Sequence, residues 1–140
     1  MRAGESNKTV LLVEDEPAMA HLISYVIEEC GGEVVVARDG IEALRRLLGD
    51  GGLRPRLVLM DLHMPQMDGL EVLSRLKKDR RTRLLPVVMI SSSEDPHDLE
   101  ESYVLGANGY IHKSSMSLSL PEQVKRTARY WLEVNESPAV

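Results

Sequence analysis

The 140-residue chain contains no phenylalanine, one tryptophan and four tyrosines, so aliphatic side chains must fill its core and any aromatic cluster stands out. It has a single cysteine, Cys30. One thiol makes neither an internal disulfide nor a cysteine-based zinc site, which points to a reducing compartment and fits the cytoplasm. There is no basic excess. Seventeen Lys and Arg stand against 22 Asp and Glu, a net charge of −5, which argues against a sequence-independent grip on nucleic-acid phosphates. No apolar run approaches the roughly 18 residues of a membrane span, and the opening MRAGESNK lacks the apolar stretch of a signal peptide.

What is present suits a globular domain: 43% hydrophobic and 28% charged residues, enough for a core without metal or disulfide staples. One domain is expected, over residues 9–135, between a leader (1–8) and a tail (136–140), with no output domain attached. Short, unalternated apolar runs recur at Thr9–Val13, Glu33–Ala37, Leu57–Met60, Pro86–Ile90 and Gly109–Ile111, the pattern of parallel strands covered on both faces. Helix-period sequence follows each. Met19, Leu22, Ile23, Val26, Ile27 and Cys30 make the first stripe, stopped by Gly31, and Ile41, Leu44, Leu47 and Leu48 the second. Leu70, Leu73 and Leu76 make the third, Leu99 and Tyr103 the fourth, and Leu120, Val124, Ala128 and Trp131 the fifth. Asp39 with Glu42, Asp68 with Glu71, and Ser119 with Glu122 have capping-box spacing, and Asp95 before Pro96 is a further helix start. Five strand–helix units with right-handed crossovers imply an α/β fold, a doubly wound parallel sheet whose functional residues gather beyond the carboxyl ends of the strands.

At those ends the sequence places Glu14, Asp15 and Glu16 after strand one and Asp61 after strand three. Ser91 and Ser92 follow strand four, and His112 and Lys113 follow strand five. Converging carboxylates repel one another unless a cation neutralises them, and an oxygen-only set suits Mg2+, which commonly keeps waters and a phosphate oxygen as its other ligands. A carboxylate nucleophile, a Mg2+ site, a lysine and a hydroxyl together form an apparatus for accepting a phosphoryl group. Blander readings fit the neighbours. Glu16 reads as a cap or a solvated charge, Asp68 as a cap and Cys30 as core. His21, His63, His97 and His112 are dispersed without ligand spacing, and the basic stretch Lys77–Arg83 reads as a solvated helix end.

VLLVEDEP, VLMDLHMPQMDG, PVVMISSS and GANGYIHKS, in this order and with 30 residues from Asp61 to Ser91 and 22 from Ser91 to Lys113, resemble the receiver domain of two-component response regulators over nearly the whole chain. The resemblance implies a (βα)5, flavodoxin-like fold with strand order 2-1-3-4-5. It implies a signalling phosphoacceptor rather than an enzyme, phosphorylated on Asp61 by a sensor histidine kinase. Asp15 and Glu14 would bind Mg2+ together with Asp61 and the backbone carbonyl of His63. Ser91 and Lys113 would engage the phosphoryl group, Tyr110 would change rotamer as the switch, and Pro65 and Gly69 would shape the loop after Asp61. His63 and Ser93 stand where family members vary phosphoryl lifetime. Receivers usually carry proline after the lysine; here Ser114 follows, which makes a cis bond far costlier and leaves the aim of Lys113 open.

The strings ESYVLGANGYIHKSS and ARYWLEVNESP resemble, more narrowly, the stand-alone regulators that accompany bacterial and cyanobacterial phytochromes, implying a bacteriophytochrome-type kinase as partner. Thr127, Tyr130 and Val134 form a second apolar edge on the last helix; either Tyr130 and Val134 fold over the adjacent strand, or the edge is the surface of a homodimer, which is expected through that helix. Two alternatives are a receiver fold that binds or dimerises without phosphorylation, and a Mg2+-dependent phosphohydrolase, for which no substrate cap is evident. Neither nucleic acid nor a membrane is an expected partner.

Overall fold

The structure, a computed structural model, describes residues 7–50 and 52–138. Of the expected leader and tail, residues 1–6 and 139–140 therefore lie outside the described residues.

Five parallel strands pair in the order β2-β1-β3-β4-β5: β1 (Thr9–Val13), β2 (Glu33–Ala37), β3 (Leu57–Asp61), β4 (Val87–Ser91) and β5 (Gly109–His112). The chain crosses between them through α1 (Pro17–Glu29), α2 (Gly40–Leu48), α3 (Gly69–Lys78), α4 (Pro96–Val104) and α5 (Leu120–Arg129). The expected topology and strand order are present. Three strands run one residue further than the apolar runs suggest, so Asp61, Ser91 and His112 occupy the last strand positions. Pro86 stays outside β4, lacking an N–H for the ladder, and its carbonyl accepts from the Val58 amide.

The strand period divides the core in two. Leu11, Val13, Val58, Met60, Val87 and Met89 face α2 and α3, whose Ala43, Leu47, Val72, Leu73 and Leu76 are fully buried. Val10, Leu12, Leu57, Leu59, Ile90 and Ile111 face Ile23 and Ile27 of α1 and Val124 and Ala128 of α5. Each such aliphatic side chain contributes about 1.5–3 kcal/mol on full burial. The caps form as the spacing requires: the amides of Glu42, Glu71 and Glu122 donate to Asp39, Asp68 and Ser119, and that of His97 to Asp95. Gly31 ends α1 at φ 86°, a conformation that costs other residues strain.

Two helix stripes differ from expectation. On α4, Leu99 and Tyr103 are exposed, and the buried residue is Ser102, whose hydroxyl donates to the Asp98 carbonyl. This helix flanks the edge strand β5, so a small residue faces the sheet and the larger apolar ones face out. On α5 the stripe continues to Leu132, which is buried, while Trp131 is half-buried. Tyr130–Val134 form a π-helical turn closed by the Asn135 amide on the Tyr130 carbonyl, and the wider turn carries Leu132 onto the sheet.

Candidate functional site

Strands β1 and β3 lie side by side in the sheet, and the residues just after β1 and at the end of β3 bring carboxylates together. Glu14, Asp15 and Asp61 each offer an oxygen within 4.8 Å of the others, and among the described residues they form a group able to hold a metal ion. Glu14 is 2% exposed and Asp61 6%, whereas Asp15 is exposed. Gly69 lets the start of α3 close on this edge: a Cβ there would stand 2.4 Å from the Asp61 carbonyl. The loop between turns at Gln66, φ 71°, where the Met67 amide donates to the Pro65 carbonyl.

Among the described residues, Lys113 is the cation paired with two of these acids. Lys113 Nζ lies 3.5 Å from Glu14 Oε1 and 3.6 Å from Asp61 Oδ1. These separations give Coulombic contact, and Glu14 Oε1 remains buried without a hydrogen-bond partner, while Oε2 accepts from the Glu16 amide. Burial, and then the Asp61 charge, push the Glu14 carboxyl up to about 7. Asp61 is raised too, by burial, against the opposing pull of Lys113. Three acids against one lysine leave two negative charges uncompensated when all are ionised, and an orphaned carboxylate oxygen points to a missing ligand. An all-oxygen donor set with that deficit fits a hard divalent ion.

The lysine is well aimed despite Ser114. All peptide bonds of the described residues are trans, Lys113–Ser114 included. The Lys113 amide donates to the Ser91 carbonyl, and the Gln123 side-chain amide donates to the carbonyls of His112 and Leu118, pinning the β5–α5 loop.

Of the other expected residues, Ser91 is buried at the end of β4, and its hydroxyl accepts from the Ser93 amide at 2.9 Å. Tyr110 is half-buried against the core, with its hydroxyl buried and unpartnered. Glu16 is the residue before α1 and makes no side-chain cap. Among the described residues the histidines join no metal-ligating group; two of them face separate acids, His63 Nε2 at 3.3 Å from Asp98 Oδ2 and His112 Nε2 at 3.4 Å from Glu94 Oε1. Sequence reasoning missed Asp98, because His63 and Asp98 share no motif and meet only through the packing of α4.

Residues 10–125 match the response regulator receiver domain. The chain belongs to that family. Among similar proteins, the probable methanogenesis regulatory protein FilR2 of Methanothrix harundinacea is 42% identical, covering 92% of this chain and 86% of its own. Response regulator Rcp1 of Synechocystis is 36% identical, covering 96% of this receiver and 97% of its own length. The Mn2+-bound form of Rcp1 superimposes with a TM-score of 0.86 over 94% of this chain and 99% of the other, at 34% identity. The phosphorylated cyanobacterial phytochrome response regulator RcpA superimposes with a TM-score of 0.88, at 36% identity, over 96% and 100%. The receiver is therefore a two-component signalling protein with an acidic site able to take a divalent metal. Among the described residues no helix is long and apolar enough to cross a membrane.

Proposed function

We propose that this receiver accepts a phosphoryl group on Asp61 from a sensor histidine kinase and transmits the change through protein contacts. The observation that carries the reading is the buried Asp61 carboxylate at a strand end, beside two further acids, with Lys113 Nζ 3.6 Å from its Oδ1.

In the transfer, an Asp61 oxygen bonds to phosphorus as the bond from phosphorus to the donor histidine nitrogen breaks. Burial raises the basicity of Asp61 and strips water from it, which strengthens it as a nucleophile. Lys113, already paired with the carboxylates, can turn to the phosphoryl oxygens as the Asp61 charge is consumed, and the Ser91 hydroxyl, held at its oxygen by Ser93, keeps its proton free to donate. Glu14, Asp15, Asp61 and the His63 carbonyl are the residues to hold Mg2+, which supplies charge neutralisation and a template for the phosphoryl oxygens. Mn2+ in Rcp1 supports such a site.

The unpartnered Tyr110 hydroxyl costs about 1–3 kcal/mol where it lies, which supports Tyr110 as the side chain that moves. The exposed Leu99, Tyr103 and Val104 of α4 offer the surface to be altered. Exposed Tyr130 and Val134 support a homodimer through the last helix. Likeness to RcpA, a phytochrome response regulator, supports a phytochrome-type kinase as partner. A reading without phosphorylation would draw on Ser114, yet the lysine reaches both acids over a trans bond.

The test is Mg2+ with a small phosphodonor, or beryllofluoride as its mimic. The protein is expected to respond and Asp61→Asn to be silent; an equal response in Asp61→Asn overturns the proposal. Sedimentation as a monomer alone, at tens of micromolar, overturns the dimer. Phosphotransfer profiling against kinases of the same organism identifies the partner.

A further inference from the structure

Charge is divided along the strand axis. Segments 45–56 and 75–83 hold ten of the 17 Lys and Arg but two of the 22 Asp and Glu, so the rest of the chain is strongly acidic although the whole carries only −5. Both segments lie at the amino edge of the sheet, as the C-terminal ends of α2 and α3 and the loops after them, and Arg81 joins them by donating to the Leu48 carbonyl at 3.0 Å. Asp79 is neutralised within the patch by Arg81 at 2.9 Å. Arg45, Arg46, Lys78, Arg80 and Arg83 are exposed, and among the described residues their side chains join no ion pair. The helix dipoles account for Arg45, Arg46 and Lys78 in last turns. They do not account for Arg80 and Arg83, which lie beyond α3, beside a Leu84 that is 57% exposed.

The opposite charge stands at the other end of β4, on the start of α4. Residues 94–101 hold five acids and no Lys or Arg. Asp98 turns inward, where its Oδ2 accepts from Ser93 Oγ at 2.6 Å and lies 3.3 Å from His63 Nε2. Glu94, Asp95 and Glu100 are exposed, and helical spacing sets Asp95 and Glu100 beside the exposed Leu99 and Tyr103. Each patch therefore has an exposed apolar centre and a rim of one charge, the composition of a docking surface. The two do not quench each other within one molecule. The five residues of β4 hold them about 16 Å apart, roughly twice the Debye length at physiological ionic strength.

We propose that the basic amino edge docks the acidic start of α4 from a second copy of this chain, with Leu84 of one meeting Leu99 and Tyr103 of the other. Complementarity selects this occupant: the chain itself carries an acidic patch with an apolar centre to match a basic patch with one. Two different patches meet, so the contact is heterologous and repeats head to tail instead of closing as a twofold pair. It is separate from the homodimer through the last helix and does not depend on Asp61 as acceptor. Exposed charges make it weak and salt-sensitive.

The experiment is sedimentation of the full chain at rising concentration, with Tyr130→Ser and Val134→Ser present throughout to remove the last-helix contact. At about 50 mM salt the mean mass is expected to climb past that of a dimer, and at about 500 mM to return to the monomer. Substituting Lys78→Gln, Arg80→Gln and Arg83→Gln is expected to weaken association about tenfold or more, as is Glu94→Gln with Glu100→Gln. All five side chains are exposed, and an unchanged urea midpoint checks that each variant is folded. Each set leaves one patch intact. An equimolar mixture of the two sets is therefore expected to form a one-to-one pair and stop there, which neither set forms alone. A chain that stays monomeric at low salt overturns the proposal, as does association that either set leaves unchanged. A mixture that does not pair overturns it too, because the two patches then do not meet each other.

Discussion

The two edges of the sheet treat charge in opposite ways. At the carboxyl edge, Glu14 and Asp61 are buried with a lysine at 3.5 and 3.6 Å, and a Glu14 oxygen has no hydrogen-bond partner. At the amino edge the buried cation is well engaged. Arg56, 8% exposed, donates to the carbonyls of Asn7 and Asn135. Nearby, Lys8 donates to the Leu132 carbonyl at 2.6 Å and Arg54 to those of Leu47 and Leu53. Apart from the Asn7 carbonyl before β1, the backbone carbonyls these cations satisfy lie at and after helix ends, where the dipole also favours positive charge. One edge pairs these cations with backbone carbonyls; the other leaves a charge deficit that a divalent metal could meet. Strand ends of the same sheet thus serve two purposes, and the purpose follows from whether polar groups are satisfied within the fold.

Substitutions should separate the edges. The largest effect is functional: Asp61→Asn is expected to eliminate phosphoryl uptake by intact mass while raising the urea midpoint, because it removes a buried charge. Arg56→Ala is expected to do the reverse, lowering stability by about 3 kcal/mol through two lost charge-assisted hydrogen bonds, with uptake retained in the folded fraction. Equal loss of uptake in both would erase the contrast.

A smaller effect concerns pH. Glu14 titrates near its ordinary 4.5 when unfolded and at about 7 when folded, so between these values the folded state binds more protons and stability falls as pH rises. Glu14→Gln is expected to flatten this slope and stabilise the metal-free protein by roughly 2–3 kcal/mol at pH 8, while millimolar Mg2+ should recover part of the loss in the wild type only. Denaturation series across pH measure both. Smallest is Lys8→Ala, expected to cost about 1 kcal/mol by loss of one charge-assisted bond, read from the shift in urea midpoint.

Much of this organisation is legible in the residue order. Parallel strands buried on both faces leave continuous apolar runs, so all five strands were readable, with the ends of β3, β4 and β5 short by one because Asp61, Ser91 and His112 break the apolar pattern while keeping the ladder. Helix starts were readable because Asp39, Asp68, Asp95 and Ser119 each serve an amide two or three residues on, a local bond. The α4 stripe was misleading. Leu99 and Tyr103 have helical spacing, but spacing does not say which side faces the sheet, and Ser102 took that side. Leu132 was missed because the turn after Arg129 widens. At the site, Glu14, Asp15, Asp61, Ser91 and Lys113 were found as strand-end residues of a doubly wound fold. The Ser93–Asp98–His63 chain was not, since it depends on how closely α4 approaches the β3–α3 loop.

The sequence by itself determined the strand and helix succession, the parallel winding and the acidic cluster with its lysine, because these depend on periodicity, local capping and a topology rule that places strand ends together. Only the tertiary structure decided that Glu14 is buried and proton-hungry, that Lys113 reaches two acids without a proline behind it, and that Asp98 grips both loops beside Asp61. Those are matters of distance and desolvation between residues remote in the chain, and neither quantity exists until the helices have packed.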